Sequence, residues 1–116
     1  MTMNSPEESV LLRVFVGEAA RHGHQSLHEA IVLKAREAHL AGATVFRGSM
    51  GYGKSSKVHT TKILALSEDL PVVIEIVDSE EKIKAFMAEL GAMMPSGMAT
   101  LEKVHSVRYP VNAPSA

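Results

Sequence analysis

Apolar positions recur along this chain with two different periods, and the changes of period mark the elements. Val10 to Val16 is a β-branched, apolar run broken only by Arg13, and it reads as a first strand. From Leu27 the spacing lengthens: Leu27, Ile31, Ala35 and Ala38 fall on one face of a helix. Ala43 to Gly48 is short and β-branched, a second strand. Ile63 to Leu66 and Pro71 to Val77 flank the polar Ser67-Glu68-Asp69 and predict a third strand, in one long piece or two short ones. Ile83, Phe86, Met87, Leu90 and Met94 make the apolar stripe of a second helix. Met98 to Tyr109 predicts a fourth strand with mixed alternation.

The punctuation agrees with these periods. Ser26-Leu27-His28-Glu29 has the form of a capping box, and Gly42 stands where a C-cap is expected. Asp78 and Ser79 open the second helix, with Glu80 and Glu81 where the helix dipole favours acids. Gly91, Pro95 and Gly97 end it. Residues 1–9 are polar, contain Pro6 and read as a frayed arm. Gly17 to Gln25 reads as a connection, and residues 110–116 as a tail. The order β-α-β-β-α-β predicts an α+β fold of one domain over residues 10–109. This is the ferredoxin-like plait, an antiparallel sheet with both helices on one face. The opposite face would be bare and apolar, a surface that favours self-association in a closed ring.

Composition narrows the function. The chain has 116 residues, with 46% apolar and only 4% aromatic, so the core is aliphatic with help from 7 Met. Cysteine is absent, which removes disulfides, thiol catalysis and Cys-based zinc sites. No apolar run spans a bilayer and the N-terminus lacks a signal-peptide pattern, so a cytoplasmic location is expected. Thirteen acids against twelve bases argue against a bulk nucleic-acid binder. The balance hides a local cluster: Arg47, Lys54, Lys57 and Lys62 have no acid between them.

That cluster overlaps a glycine-rich segment. Gly48-Ser49-Met50-Gly51-Tyr52-Gly53-Lys54-Ser55 satisfies the P-loop pattern, in which amides cradle phosphates, Lys54 reaches the terminal oxygens and Ser55 holds magnesium. Yet Ser55 to Thr61 is a poor helix former, and so short a chain in this order does not supply a parallel sheet. Two other readings stand beside a nucleotide hydrolase: a glycine-permitted hairpin tip, and a hinged mobile loop binding an anion through its amides with Lys54 or Lys57. His22, His24 and His28 have metal-ligand chemistry, which keeps a trimeric metal-binding protein as another alternative. Arg13, Arg47 and Arg108 lie on expected strands, where a guanidinium pairs with Glu75 or Glu102 or clamps a phosphate. No convincing catalytic constellation is present, so the chain is not expected to be an enzyme.

Gly42-Ala43-Thr44-Val45 leading to Gly51-Tyr52-Gly53-Lys54 resembles the strand and loop root of PII (GlnB-like) signalling proteins. Ile74-Glu75-Ile76-Val77 resembles the next strand of that family, and Val104 to Tyr109, with Arg108, its basic C-terminal strand. Ser55-Ser56, His59 and the run Leu66 to Pro71 resemble one PII-like branch, the domain of unknown function numbered one-ninety. The resemblance implies a homotrimer whose inter-subunit clefts bind a small ligand: AMP, ADP, ATP or a similar anion. It also implies that residues 48–61 act as a T-loop docking on a membrane transporter or an enzyme. The ligand set it implies is Thr44, Arg47, Gly51, Tyr52, Gly53, Lys54, Ser55, Ser56, His59, Glu75 and Arg108. Three departures from the PII pattern stand out. The Thr44 to Gly51 spacing is one residue longer, Met98 replaces a basic residue, and no tyrosine lies between Tyr52 and Tyr109, which removes that uridylylation site.

Overall fold

In a computed structural model, residues 5–52, 59–60 and 69–109 are described. The elements run β1 (Glu7–Gly17), β2 (Arg21–His22), β3 (Gln25–Ser26), α1 (Leu27–Glu37), β4 (Thr44–Arg47), β5 (Met50–Gly51), β6 (His59–Thr60), β7 (Pro71–Asp78), α2 (Glu80–Met93) and β8 (Met98–Ser106). The main sheet has the order β4-β7-β1-β8 and all its pairings are antiparallel. With α1 and α2 in their places, this is the expected ferredoxin-like plait. No helix among the described residues is long and apolar enough to cross a membrane.

Two-residue alternation decides which side of the sheet is covered. On β1 the even positions Val10, Leu12 and Val14 are buried, while Leu11, Arg13 and Phe15 are half-buried. On β7 the buried positions are Val72, Ile74, Ile76 and Asp78, with Val73, Glu75 and Val77 half-buried. The buried rows join Leu27, Ile31 and Ala35 of α1 and Ile83, Phe86 and Leu90 of α2 in one core. The second-helix stripe is therefore narrower than its spacing predicts: Met87 and Met94 pack only at the margin.

Several boundaries move for identifiable reasons. The expected arm of residues 1–9 is shorter, because Glu7 to Ser9 pair with Val104 to Ser106 and the Ser9 hydroxyl lies 2.7 Å from that of Ser106. The Gly17 to Gln25 connection folds back on itself as β2 pairs with β3, with Gly23 at φ +64°. Gly42 does not cap α1. His39 takes the left-handed position at φ 61°, its N–H donates to the Arg36 carbonyl and that of Leu40 to the Ala35 carbonyl. That pair of bonds is the Schellman arrangement, closed here three residues before the glycine. It gives His39 a backbone role in place of the dipole role its position suggests.

The capping box also differs. Ser26 is the N-cap, but its hydroxyl donates to Glu29 Oε1 at 2.6 Å and makes no bond to the helix backbone. At α2 the cap is regular, with the Ser79 hydroxyl accepting from the Lys82 N–H. Gly91 lies inside α2, which ends at Met93. The fourth strand ends at Ser106, short of Tyr109. The third strand is Pro71–Asp78, and the Ile63 to Leu66 portion of that expectation falls outside the described residues.

Phe86 is 1% exposed and sits in the centre of this core. Phe86→Ala is expected to lower unfolding stability by about 3–5 kcal/mol, read from urea denaturation at fixed protein concentration. A second outcome concerns pH. The Ser26 hydrogen bond holds the Glu29 carboxyl below the usual carboxylate range. A depressed native pKa adds stability above the ordinary carboxylate pKa, and the contribution is lost as pH falls through the native value. In Ser26→Ala, carboxyl NMR titration should find Glu29 returned toward its ordinary range.

Candidate functional site

The glycine-rich segment leaves the sheet from the end of β4 and returns at the start of β7, so both of its roots lie at one end of the sheet. The Gly48 N–H donates to the Pro71 carbonyl at 2.8 Å. A Cβ on Gly48 would lie 2.7 Å from Pro71 Cγ, and one on Gly51 2.9 Å from the same atom. These two glycines are thus required by the close approach of the proline ring. Gly51 belongs to β5, which pairs with β6. A P-loop joins a strand of a parallel sheet to a helix; here both flanks of the segment belong to antiparallel pairings. The nucleotide-hydrolase alternative through Lys54 and Ser55 does not fit this geometry.

The turn after β1 closes over the returning root. The Glu18 N–H donates to the Leu70 carbonyl at 2.8 Å and the Ala19 N–H to Asp69 Oδ1 at 2.7 Å. A Cβ on Gly17 would be 2.5 Å from the same carboxylate oxygen. Asp69 thus satisfies a backbone donor of the turn. Arg47 at the end of β4 places its Nε 2.6 Å from Glu18 Oε2. Met50 and Tyr52 follow in the same segment, both strongly exposed. This root brings Arg47, Gly51 and Tyr52 of the expected set into one neighbourhood.

The others are placed differently. Thr44 and Glu75 are cross-strand partners in mid-sheet, on the face the helices leave open. Glu75 accepts from Arg13 Nε at 2.9 Å, and Arg13 Nη1 reaches Glu102 Oε1 at 3.1 Å. The hydrogen bond it donates to Glu75 is the largest cause holding the Arg13 guanidinium above its ordinary pKa. Of the two readings open for Arg13, the carboxylate pairing is the one observed. Arg108 lies beyond β8 at the opposite end of the sheet, its Nη2 3.8 Å from Asp78 Oδ1. Gly53, Lys54, Ser55 and Ser56, and the His59 side chain, fall outside the described residues.

His22 and His24 are exposed on the β2–β3 hairpin and His28 is buried in α1. Among the described residues no group of three or more metal-ligating side chains forms, which removes the geometric support for the histidine-cluster alternative. Two shallow clefts lie beside α1, one of about 260 Å³ against the connection that follows the helix and one of about 290 Å³ against Val45 of β4. Neither is lined by an expected ligand-binding residue. Asp78 was missed from the sequence, where it reads as a helix opener. It is buried and accepts from the Ala41 and Ser79 N–H groups. Its position ending an apolar strand was the available signal.

The antiparallel plait with a segment rooted at one end of the sheet is the PII-like fold. A candidate PII-like signalling protein of Thermus thermophilus superposes with a TM-score of 0.65 at 16% identity, over 88% of this chain and 92% of that one. CPII of Thiomonas intermedia K12 is a nitrogen regulatory PII-like protein solved with ADP, AMP and bicarbonate. It superposes at 0.62 with 17% identity, over 91% and 94%. At sequence level, a UPF0166 protein of Aquifex aeolicus (strain VF5) is 40% identical over 97 residues, which are 84% of this chain and 91% of that protein. The DUF190 family model (Uncharacterized ACR) matches residues 9–106, and the chain belongs to that family.

Gly48→Ala should test the root contact. Forcing a Cβ against Pro71 is expected to lower stability by about 1–3 kcal/mol in urea denaturation.

Proposed function

We propose that this protein is a PII-like regulatory protein rather than a catalyst. In this reading it binds an adenine nucleotide or a similar small anion in clefts between the subunits of a homotrimer. It contacts a target, a membrane transporter or an enzyme, through residues 48–61. The observation that carries the reading is the loop root. Arg47, paired with Glu18, Gly51, packed against Pro71, and the exposed Tyr52 all lie in the segment that leaves the sheet, on a fold shared with a PII-like protein solved with ADP and AMP.

The trimer has its own support. Among the described residues, the two clefts beside α1 include none of the expected ligand residues, which favours a pocket completed by a second copy. The uncovered sheet face presents Phe46, 50% exposed, and Met98, 58% exposed, beside Leu11, Phe15, Val73 and Val77. Apolar patches of this kind mark association surfaces. The Arg13 network crosses the same face already paired, so covering it would not strand a lone cation.

Light scattering on the eluting protein should give three times the chain mass of 12.5 kDa. A stable monomer would contradict the reading. In a thermal-shift panel of AMP, ADP, ATP and divalent metals, at least one nucleotide should raise the melting temperature. A ligand at a hundred times its Kd adds about 2.7 kcal/mol. A shift with metals alone would favour the metal-binding alternative instead.

A further inference from the structure

Arg47 is the described cation of the loop root, and it already holds an anion. Its Nε lies 2.6 Å from Glu18 Oε2, with the Glu18 side chain 30% exposed and that of Arg47 61% exposed. Glu18 is not a freely swinging surface acid. Its own N–H is bonded to Leu70, the next N–H is bonded to Asp69, and Gly17 before it packs against the same carboxylate. The turn therefore presents a carboxylate to the guanidinium while the greater part of Arg47 stays open to solvent. A carboxylate so placed makes the same charge-assisted hydrogen bond that a phosphate oxygen would make there.

We infer that Glu18 is an internal competitor for Arg47, a specificity-determining residue that an incoming anion displaces. The inference rests on the anion site proposed at the loop root and goes beyond it by naming what that site holds when no ligand is bound. Displacement favours anions that outmatch one carboxylate. A terminal phosphate carries close to two negative charges and three acceptor oxygens, whereas a monoanion offers Arg47 no more than Glu18 already does. The pair is partly exposed, so removing Glu18 has a modest effect: about a three- to fivefold gain in anion affinity.

The experiment is titration calorimetry of ADP into the full chain at low salt. It compares wild type, Glu18→Gln, Arg47→Gln and the double variant, each checked by thermal melting. Glu18→Gln should bind ADP about three- to fivefold more tightly. Arg47→Gln should bind it more weakly than wild type, and the double variant no more tightly than Arg47→Gln alone. Glu18→Ala should move affinity the same way, which covers a glutamine amide that keeps its bond to Arg47. Unchanged or weaker ADP binding in both Glu18 variants, with Arg47→Gln still harmful, overturns the competitor and leaves the anion site standing. ADP binding indifferent to Arg47→Gln, or absent from every variant, overturns the anion site and the competitor together.

Discussion

A side chain on β1 or β7 meets one of two environments. Even positions point at α1 and α2, and odd positions point away from both helices. Chain order imposes the difference, because both crossover helices lie on one side of the sheet. Leu12, Val14, Ile74 and Ile76 are sealed beneath the helices. Leu11, Phe15, Val73 and Val77 are half-buried and form a second apolar layer on the face turned away from the helices. An apolar layer left in water favours association, and in the proposed assembly two further copies supply the cover.

The open face is not uniformly apolar. Arg13 crosses three strands, reaching Glu75 on one side and Glu102 on the other. Both bonds follow from register: Arg13 is opposite Glu75 on β7, and Glu102 is opposite Leu11, the neighbouring position on the same face, on β8. A lone arginine there would resist burial, and an arginine with two carboxylates resists it less. The open face is thus suited to an interface, while Arg47, paired with Glu18, lies at the end of the sheet.

Much of this was legible in the sequence because it is periodic. The β-α-β-β-α-β order and the α2 stripe of Ile83, Phe86 and Leu90 follow from spacing, and the pairing of Arg13 with Glu75 or Glu102 was one of the two readings that its charge on a strand left open. What escaped depends on contacts between distant segments. Glu7 to Ser9 read as an arm because their partners lie almost a hundred residues away, in Val104 to Ser106. His39 displaced Gly42 as the helix terminator because the closing bonds formed at Leu40, and a glycine shows only where a left-handed residue is tolerated. Gly48 and Gly51 looked like phosphate-loop glycines, yet their neighbour is Pro71, twenty residues on from Gly51. At the site, Arg47 was visible as a cation on a strand. Its partner Glu18 was not, because nothing in the order of residues brings the turn after β1 over the root of β7.

In the proposed function a small anion is met at the loop root, where β1, β4 and β7 meet at one end of the sheet. Amide hydrogen exchange with and without saturating ADP tests it most directly. ADP should slow exchange at Arg47 to Gly51 while the central amides of β1 keep their rates. Unchanged exchange at Arg47 to Gly51, with new protection confined to the β2–β3 hairpin or the cleft beside α1, would contradict it.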